Sequence, residues 1–276
     1  MVRIQGLFSD YDGTLSPLEV QRQDAAISQR LRRFLSKMSK TIPIGIVSTK
    51  DLDFIRERLP FVHGISATAG LQMQVGERII IDERALRSSK KLEKACQEVI
   101  SKIMRLGDNI MIEKKTTEDD DLIAFCIDWR LSKNWEEAGK TVKPILNELR
   151  RSGLYVVESE KSPFVNVYPF EVDKGSALEA LRSELHVTGP IMYLGDSEAD
   201  NSAFELADVS VGVKHLKVLP ELSCRYFIEF FELEAFILRL LDADLDFSED
   251  MVRLNPRYTG SKSARAIKTP KMNLPD

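Results

Sequence analysis

Two aspartates, Asp10 and Asp12, are separated by one residue in the stretch "LFSDYDGTL", where a short apolar run ends. Carboxylates that close repel each other and are costly to remove from water, so a compensating positive charge is expected. A hard cation such as Mg²⁺ binds oxygen ligands and turns this repulsion into attraction. Asp10 could then attack phosphorus as a nucleophile while Asp12 transfers a proton, and Gly13 would permit the tight turn that follows.

Three later segments carry the other residue types that phosphoryl transfer requires. Ser48 and Thr49 end the apolar run "IPIGIVST" and could offer a hydroxyl and backbone N–H donors to a phosphate at a helix start. Lys174 opens a helical stretch and provides a fixed positive charge for the phosphate and the nucleophile. Asp196 and Asp200, in "LGDSEADNSAF", are two further acids for a cation.

The elements that must hold these residues alternate along the chain as in an α/β protein. The runs "RIQGLFSD" and "IPIGIVST" are typical of parallel strands buried on both faces, and the helical spacing of "AAISQRLRRFLSKMS" completes a β-α-β unit. The alternation resumes with a helix in "KGSALEALRSEL" and a strand in "PIMYLGD". Because the carboxyl ends of parallel strands meet at one edge of a sheet, we expect the four segments to form one site.

The middle of the chain follows a different pattern, which predicts a second domain. A helix followed by a pair of strands occurs twice in succession, as expected for an α+β layer inserted into the larger domain. We therefore expect a core formed by residues 1–81 and 173–247 and an inserted domain formed by residues 82–172. Residues 248–276 lose apolar periodicity and are rich in Arg and Lys, so they are expected to form a flexible basic tail.

The composition excludes several classes of protein. The 276 residues are 43% hydrophobic and 30% charged, and the formal net charge of -4 gives no electrostatic reason to bind nucleic acid. Three widely spaced cysteines, Cys96, Cys126 and Cys224, form neither a CxxC pair nor a disulfide framework. No apolar run approaches the roughly 20 residues that span a membrane, and charged residues come too early for a signal peptide. We expect a cytoplasmic protein.

The segments "DYDGTL", "IVST", "DKGSAL" and "GDSEADNSAF" resemble, in this order, the four motifs of the haloacid dehalogenase-like (HAD) phosphatase superfamily. The resemblance implies a Rossmann-like three-layer core on a parallel sheet, with a mobile α+β cap inserted between the second and third motifs. It also implies that Asp10 forms an aspartyl-phosphate, that Asp12 acts as general acid and then as base, and that Lys174 assists them. Mg²⁺ would be held by the Asp10 side chain, the Asp12 carbonyl and Asp196, with Asp200 supporting it directly or through water.

Within the superfamily, the sequence is most similar to trehalose-6-phosphate phosphatases. It resembles them in an acid-x-lysine strand leading to an aromatic-Arg hairpin, "IEKKTTEDDDLIAFCIDWR", and by this resemblance Glu113 and Lys115 would contact sugar hydroxyls. It departs from them where Ser48-Thr49-Lys50 replaces Ser-Gly-Arg, where "AGLQ" replaces His-Gly-x-Glu, and where Asn166 replaces a cap glutamate. The residues expected to bind the substrate are Thr14, Ser48, Thr49, Lys50, Glu113, Lys115, Arg130 and Asn166.

The expected activity is Mg²⁺-dependent hydrolysis of a sugar phosphate, with trehalose 6-phosphate as the first candidate. Mannosyl-3-phosphoglycerate, phosphoglycolate and other small phosphomonoesters stay open, because the departures fall on residues that recognise the sugar or support the site. A phosphosugar mutase would share the motifs, and a catalytically silent subunit of a sugar-phosphate synthase is a third alternative. Trp129 and Trp135 are expected to pack within their own layer. No role is assigned to His63, His186 or His215.

Overall fold

The computed structural model describes residues 1–18, 20, 24–104, 109–158, 163–215 and 221–258. Nine strands in this part of the chain form one sheet. In spatial order they are β15 (Arg253–Leu254), β13 (Tyr226–Glu229), β12 (Val209–Lys214), β11 (Ile191–Gly195), β2 (Gly6–Ser9), β3 (Ile44–Val47), β4 (Gly64–Ala67), β5 (Gln72–Val75) and β6 (Arg78–Ile81). The central strands from β13 to β4 run parallel, whereas β15, β5 and β6 run antiparallel to their neighbours.

Helices cover both faces of this sheet, which explains why its strands are continuous apolar runs. The helices are α1 (Gln29–Met38), α2 (Leu52–Arg58), α5 (Lys174–Glu184), α6 (Asn201–Leu206) and α7 (Leu233–Asp242). Leu7 and Phe8 are successive residues of β2 and therefore point to opposite faces. Leu7 belongs to the apolar cluster that includes α1, α2 and α7, and Phe8 to the one that includes α5 and α6. This arrangement confirms the predicted three-layer α/β core.

Between β6 and α5, the chain forms a second unit, which we call the cap. Within residues 82–104, 109–158 and 163–173, four antiparallel strands form one sheet, in the spatial order β7 (Met111–Thr116), β8 (Leu122–Asp128), β10 (Phe164–Tyr168) and β9 (Tyr155–Glu158). The helices of this unit are α3 (Glu83–Ile103) and α4 (Trp135–Arg151). Phe125 of β8 packs with the two helices, whereas Ala124 packs with Ala69 and Leu71 of the core. One face of the cap sheet is therefore turned toward the core.

Two parts of the chain fold differently from the prediction. The first predicted strand is divided, because β1 (Val2–Arg3) pairs with β14 (Asp246–Phe247) and only β2 joins the large sheet. The predicted tail begins with ordered structure, since Glu249–Met251 is a 3-10 helix and β15 pairs with β13. Pairing between segments so distant in sequence leaves no periodic signal in strands of two residues. Residues 259–276 of the predicted tail lie outside the described part.

All three cysteines are buried and unpaired. Burial raises the pKa of Cys126 and of Cys224 to about 11, so these thiols stay protonated at neutral pH and serve as small apolar side chains. Among the described residues, no helix combines the length and the apolar character that crossing a membrane requires.

Candidate active site

Asp10 and Asp196 follow two neighbouring parallel strands, β2 and β11, at the same edge of the large sheet. Asp200 ends the 3-10 turn Glu198–Asp200, which leads into α6. One carboxylate oxygen from each of these three aspartates lies within 4.8 Å of the other two. Lys174 reaches the same point as the first residue of α5. The parallel sheet thus gathers four predicted residues from three segments that are far apart in sequence.

Lys174 holds two of these carboxylates. Its Nζ lies 2.7 Å from Asp10 Oδ2 and 2.7 Å from Asp200 Oδ1, and its side chain is almost completely buried. Burial alone would lower the pKa of Lys174, but the two adjacent carboxylates outweigh burial and raise the pKa above its ordinary value. The ammonium group is therefore a permanent positive charge in the interior of the site.

Asp10 is oriented from two sides. Its Oδ1 accepts a hydrogen bond of 2.7 Å from the backbone N–H of Tyr11, while its Oδ2 faces Lys174. Burial raises the pKa of Asp10 to about 7. The attraction to Lys174 lowers the pKa by less than burial raises it, and the repulsion from Asp200 raises it further. The orientation of the Asp10 carboxylate is thus fixed, but the protein does not fully compensate its negative charge.

Asp200 is completely buried, and its carboxylate is saturated by donors from the protein. Its Oδ1 accepts from Lys174 Nζ and from the hydroxyl of Tyr193, both at 2.7 Å. Its Oδ2 accepts from the backbone N–H of Asp196 at 3.2 Å and from the N–H and hydroxyl of Ser197 at 3.1 Å. A carboxylate offers about four acceptor positions, so these five contacts favour a supporting role for Asp200 over direct metal binding.

The carboxylate of Asp196 lies against Gly13. Gly13 has a φ of +72°, and a Cβ at this position would come within 2.1 Å of Asp196 Oδ2, so a larger residue would displace the carboxylate. Thr14, which is fully buried, donates a long hydrogen bond of 3.5 Å to Asp196 Oδ1. Burial and then the charges of Asp10 and Asp200 raise the pKa of Asp196 well above its ordinary value. A divalent cation would supply the missing positive charge, so this donor set fits Mg²⁺.

Asp12 stands apart from the three clustered aspartates. Its Oδ2 lies 3.2 Å from Nζ of Lys50, and 32% of its side chain is exposed. Asp12 can therefore keep a cationic partner and still reach a substrate. Lys50 was predicted to bind the substrate, and its pairing with Asp12 was not foreseen.

The loop formed by Ser48, Thr49 and Lys50 is held by its backbone. The carbonyl oxygens of Ser48 and Lys50 accept hydrogen bonds from the backbone N–H groups of Ala69 and Thr68, at 2.9 and 2.8 Å. Thr68 and Ala69 have left-handed φ values of 52° and 55°, which are unfavourable for residues other than glycine. The turn at Thr68 and Ala69 is therefore strained, and it holds the backbone of Ser48 and Lys50 in place.

Lys115 connects the cap to this loop. Its Nζ donates to the carbonyl oxygen of Thr49 at 2.6 Å and to Oδ1 of Asn166 at 2.8 Å, and burial lowers its pKa. Glu113 lies two residues earlier in β7, so it points to the same face of the cap sheet. Four residues predicted to bind the substrate thus come together where the cap meets the core.

Arg130 is held on the cap by Asp128. Its Nε and Nη2 donate to the two carboxylate oxygens at 2.6 to 3.1 Å, and its guanidinium lies 5.4 Å from the ring centre of Phe164. Trp129 packs in the cap interior as predicted. Trp135 does not, because 53% of it is exposed and its Nε1 donates to the Arg130 carbonyl.

Three residues of this region were missed in the sequence analysis. Tyr193 stands two residues before the end of β11, so its hydroxyl could have been placed near the acids from strand position alone. Asp128 precedes the aromatic-Arg pair, and its charge could have been matched to Arg130. His215 directly follows β12 at the same sheet edge, and its Nε2 contacts the carbonyl oxygen of Gly13. A position just past a parallel strand is the only sequence signal for His215.

The sequence is similar to known phosphatases over most of its length. A family model described as trehalose-phosphatase matches residues 8–220. A curated relative from Oryza sativa subsp. japonica, "Probable trehalose-phosphate phosphatase 4", is 26% identical over 269 residues, which cover 91% of this chain and 70% of that protein. Five curated relatives from Arabidopsis thaliana are matched over 55% to 67% of their own length.

Solved structures share the fold at low sequence identity. A trehalose-6-phosphate phosphatase related protein has a TM-score of 0.68 and 18% identity, covering 87% of this chain and 100% of its own. A haloacid dehalogenase-like hydrolase from Bacteroides thetaiotaomicron has a TM-score of 0.61 and 15% identity, covering 86% and 100%. These similarities confirm the expected HAD-type fold. Because the family model covers well over half of the residues, the chain belongs to the trehalose-phosphatase family.

Proposed function

We propose that this protein is a Mg²⁺-dependent phosphomonoester hydrolase that releases phosphate from trehalose 6-phosphate through an aspartyl-phosphate. The proposal rests on the pairing of Asp10 and Lys174, whose charged atoms lie 2.7 Å apart, next to the carboxylates of Asp196 and Asp200. A carboxylate oriented by a permanent cation is suited to attack phosphorus. The trehalose-phosphatase family and the names of the relatives support the same reaction.

In the first half of the proposed reaction, Asp10 attacks phosphorus and the bond from phosphorus to the sugar oxygen breaks. The hydrogen bond from Tyr11 and the ion pair with Lys174 aim the attacking carboxylate. Lys174 also offsets part of the negative charge that the phosphoryl group brings to the site. Asp12, whose carboxyl group is partly exposed, donates a proton to the departing sugar oxygen.

In the second half, Asp12 takes a proton from a water molecule whose oxygen attacks phosphorus. The bond between Asp10 and phosphorus breaks, phosphate leaves, and the Asp10 carboxylate is restored. Asp12 thus acts first as acid and then as base from one position beside Lys50. A mutase would differ here, because it would exclude water and return the phosphoryl group to a sugar.

Asp10 and Asp196 would hold Mg²⁺ through their carboxylates, and Asp12 would hold it through its backbone carbonyl. The bound ion would compensate the negative charge of the phosphoryl oxygens. Asp200 would act indirectly, by orienting Lys174 and the backbone N–H of Asp196. The raised pKa values of Asp10 and Asp196 support this assignment, because each carboxylate lacks a full countercharge in the protein alone.

The cap supports a substrate with many hydroxyl groups. Glu113, Lys115 and Asn166 offer donors and acceptors on the face that is turned toward the core. Lys115 already binds Thr49 and Asn166, so a sugar hydroxyl would join this network. Phosphoglycolate has no hydroxyl group and could not use this network. The set of donors and acceptors therefore favours a sugar phosphate.

Phosphate release from a panel of phosphomonoesters tests the proposal. The panel contains trehalose 6-phosphate, glucose 6-phosphate, mannosyl-3-phosphoglycerate and phosphoglycolate, each with wild-type protein and with the Asp10→Asn variant. We expect the highest kcat/KM for trehalose 6-phosphate and no release by Asp10→Asn. A preference for another substrate would overturn the substrate assignment alone. Isomerisation of a sugar phosphate without release would indicate a mutase, and inactivity on every substrate would indicate a silent binding subunit.

A further inference from the structure

His215 contacts the catalytic loop from a strand that contributes no residue to the proposed chemistry. It directly follows β12, which is separated from β2 in the sheet by β11. Its Nε2 forms a hydrogen bond with the carbonyl oxygen of Gly13. Its ring stacks on Phe230, with the ring centres 4.3 Å apart and the planes inclined by 30°. The imidazole therefore reaches across the strand ends to the turn after Asp12.

Gly13 is constrained on its other side as well. With a φ of +72°, its α-carbon lies so close to the Asp196 carboxylate that no Cβ could be accommodated. His215 Nε2 then fixes the carbonyl oxygen of the same residue. A carbonyl oxygen is an acceptor only, so the imidazole nitrogen must be the donor and must carry the proton. The peptide unit between Gly13 and Thr14 is thus held at its oxygen by His215, while its N–H donates to the Tyr11 carbonyl oxygen at 3.4 Å.

We propose that His215 is a positioning residue that sets the Mg²⁺ affinity of the site by holding the turn at Asp12 and Gly13. The inference rests on the proposed function, in which the Asp12 carbonyl and the Asp196 carboxylate are both metal ligands. His215 restrains the peptide unit that follows the Asp12 carbonyl, and Gly13 lies against the Asp196 carboxylate. Partners that orient metal ligands typically change metal affinity by about 10-fold to 100-fold when they are removed.

The donor function of His215 can be separated from its packing. His215→Phe keeps an aromatic ring against Phe230 but removes the hydrogen bond to Gly13. His215→Gln removes the ring but keeps a side-chain N–H that can donate. His63→Phe is a matched control, because His63 Nδ1 accepts a backbone hydrogen bond from Ile44 at the opposite edge of the same sheet.

The experiment measures Mg²⁺ binding without substrate, by titrating MgCl₂ and recording the melting temperature of the whole chain. Mg²⁺-dependent phosphate release is measured in parallel. The midpoint is the Mg²⁺ concentration at which half of the rise in melting temperature has occurred. We expect His215→Phe to raise this midpoint about tenfold or more, and His215→Gln to restore part of the affinity. At saturating Mg²⁺, the KM of the His215→Phe variant for the phosphomonoester should equal that of the wild-type protein. His63→Phe should leave the midpoint unchanged.

A midpoint for His215→Phe within twofold of the wild-type value would overturn the inference. If that variant does not fold, Phe230→Leu provides the same test, since it removes the ring that orients His215 and should also raise the midpoint. An unchanged midpoint in Phe230→Leu would then count against the proposal. Wild-type protein that binds Mg²⁺ but releases no phosphate would refute the proposed function alone. Wild-type protein without any response to Mg²⁺ would refute both.

Discussion

The ammonium group of Lys50 lies 3.2 Å from the carboxylate of Asp12, and only 12% of the lysine side chain is exposed. Lys50 Nζ also lies 5.2 Å from the ring centre of Phe54 in α2, which limits the positions the side chain can take. The cation of the second motif is thus paired with the residue that we propose as general acid and base. Because the lysine is largely buried and held by two groups, its charge stays close to the Asp12 carboxylate.

The pair predicts that Lys50 orients Asp12 for proton transfer. Lys50→Met keeps the length of the side chain but removes the charge, and we expect kcat on a sugar phosphate to fall about tenfold, part of the usual contribution of general acid catalysis. The loss should be smaller on p-nitrophenyl phosphate, whose leaving group needs no proton. Lys50→Arg should restore most of the activity. Equal losses on both substrates would show that Lys50 acts on the phosphate instead.

A second prediction concerns the nucleophile. Asp10→Asn should reduce phosphate release by about 10⁴-fold or more, because the amide cannot form the aspartyl-phosphate. The variant should still fold, since Lys174 keeps its 2.7 Å contact with Asp200. Circular dichroism and melting temperature check the fold alongside the assay. Hydrolysis at more than a trace of the wild-type rate, in a folded variant, would remove Asp10 from its assigned role.

Removal of Mg²⁺ should silence the enzyme reversibly and lower its stability. Asp10 and Asp196 are buried carboxylates that favour protonation in the absence of a cation, so Mg²⁺ should stabilise the folded chain. At a hundredfold excess over Kd, the stabilisation should be about 2.7 kcal/mol. Differential scanning fluorimetry with EDTA and then with added MgCl₂ measures it. The Asp196→Asn variant should show little of this response, and a full response would exclude Asp196 as a ligand.

The saturated carboxylate of Asp200 predicts a structural penalty. Asp200→Asn removes one of the two charges that compensate buried Lys174, and we expect the free energy of unfolding to fall by about 3 kcal/mol. Tyr193→Phe removes a single hydrogen bond to the same carboxylate and should cost about 1 kcal/mol. Urea unfolding at constant Mg²⁺ compares the two variants. Similar costs for both would mean that the charge of Asp200 contributes little.

The contact between Lys115 and Thr49 predicts an effect on large substrates. Lys115→Met removes the donor to the Thr49 carbonyl and to Asn166, and we expect the KM for trehalose 6-phosphate to rise about tenfold, the cost of one hydrogen bond to a charged group. The KM for p-nitrophenyl phosphate, which is too small to need the cap, should change much less. Lys114→Met is the control, because Lys114 is an exposed neighbour on the other face of β7. Parallel changes in both variants would contradict the assignment.

The convergence of Asp10, Lys174 and Asp196 was predictable from the sequence, because it follows from parallel topology. Residues that end adjacent parallel strands must meet at one edge, whatever the details of packing. The strands themselves were visible as short apolar runs, as in β3 and β11. The fold class and the meeting of the motifs at one edge of the sheet could therefore be predicted without knowledge of side-chain contacts.

The partners of these residues were not predictable in the same way. His215 reaches Gly13, and Lys115 reaches Thr49, across separations that local patterns do not encode. The pairing of β15 with β13 is likewise a contact between distant segments, and it replaces part of a predicted tail. Such contacts depend on how the sheets and helices pack against each other, which periodicity and residue type do not specify.

The backbone contacts of the second motif have a consequence for how this scaffold can diverge. Three successive carbonyl groups, of residues 48 to 50, are each engaged by a donor from outside the loop: two come from the left-handed turn at Thr68 and Ala69, and one comes from Lys115. A loop whose path is dictated by main-chain partners can exchange side chains without changing shape. Replacements at position 49 can therefore change the contacts offered to a substrate while the folding of the domain stays intact.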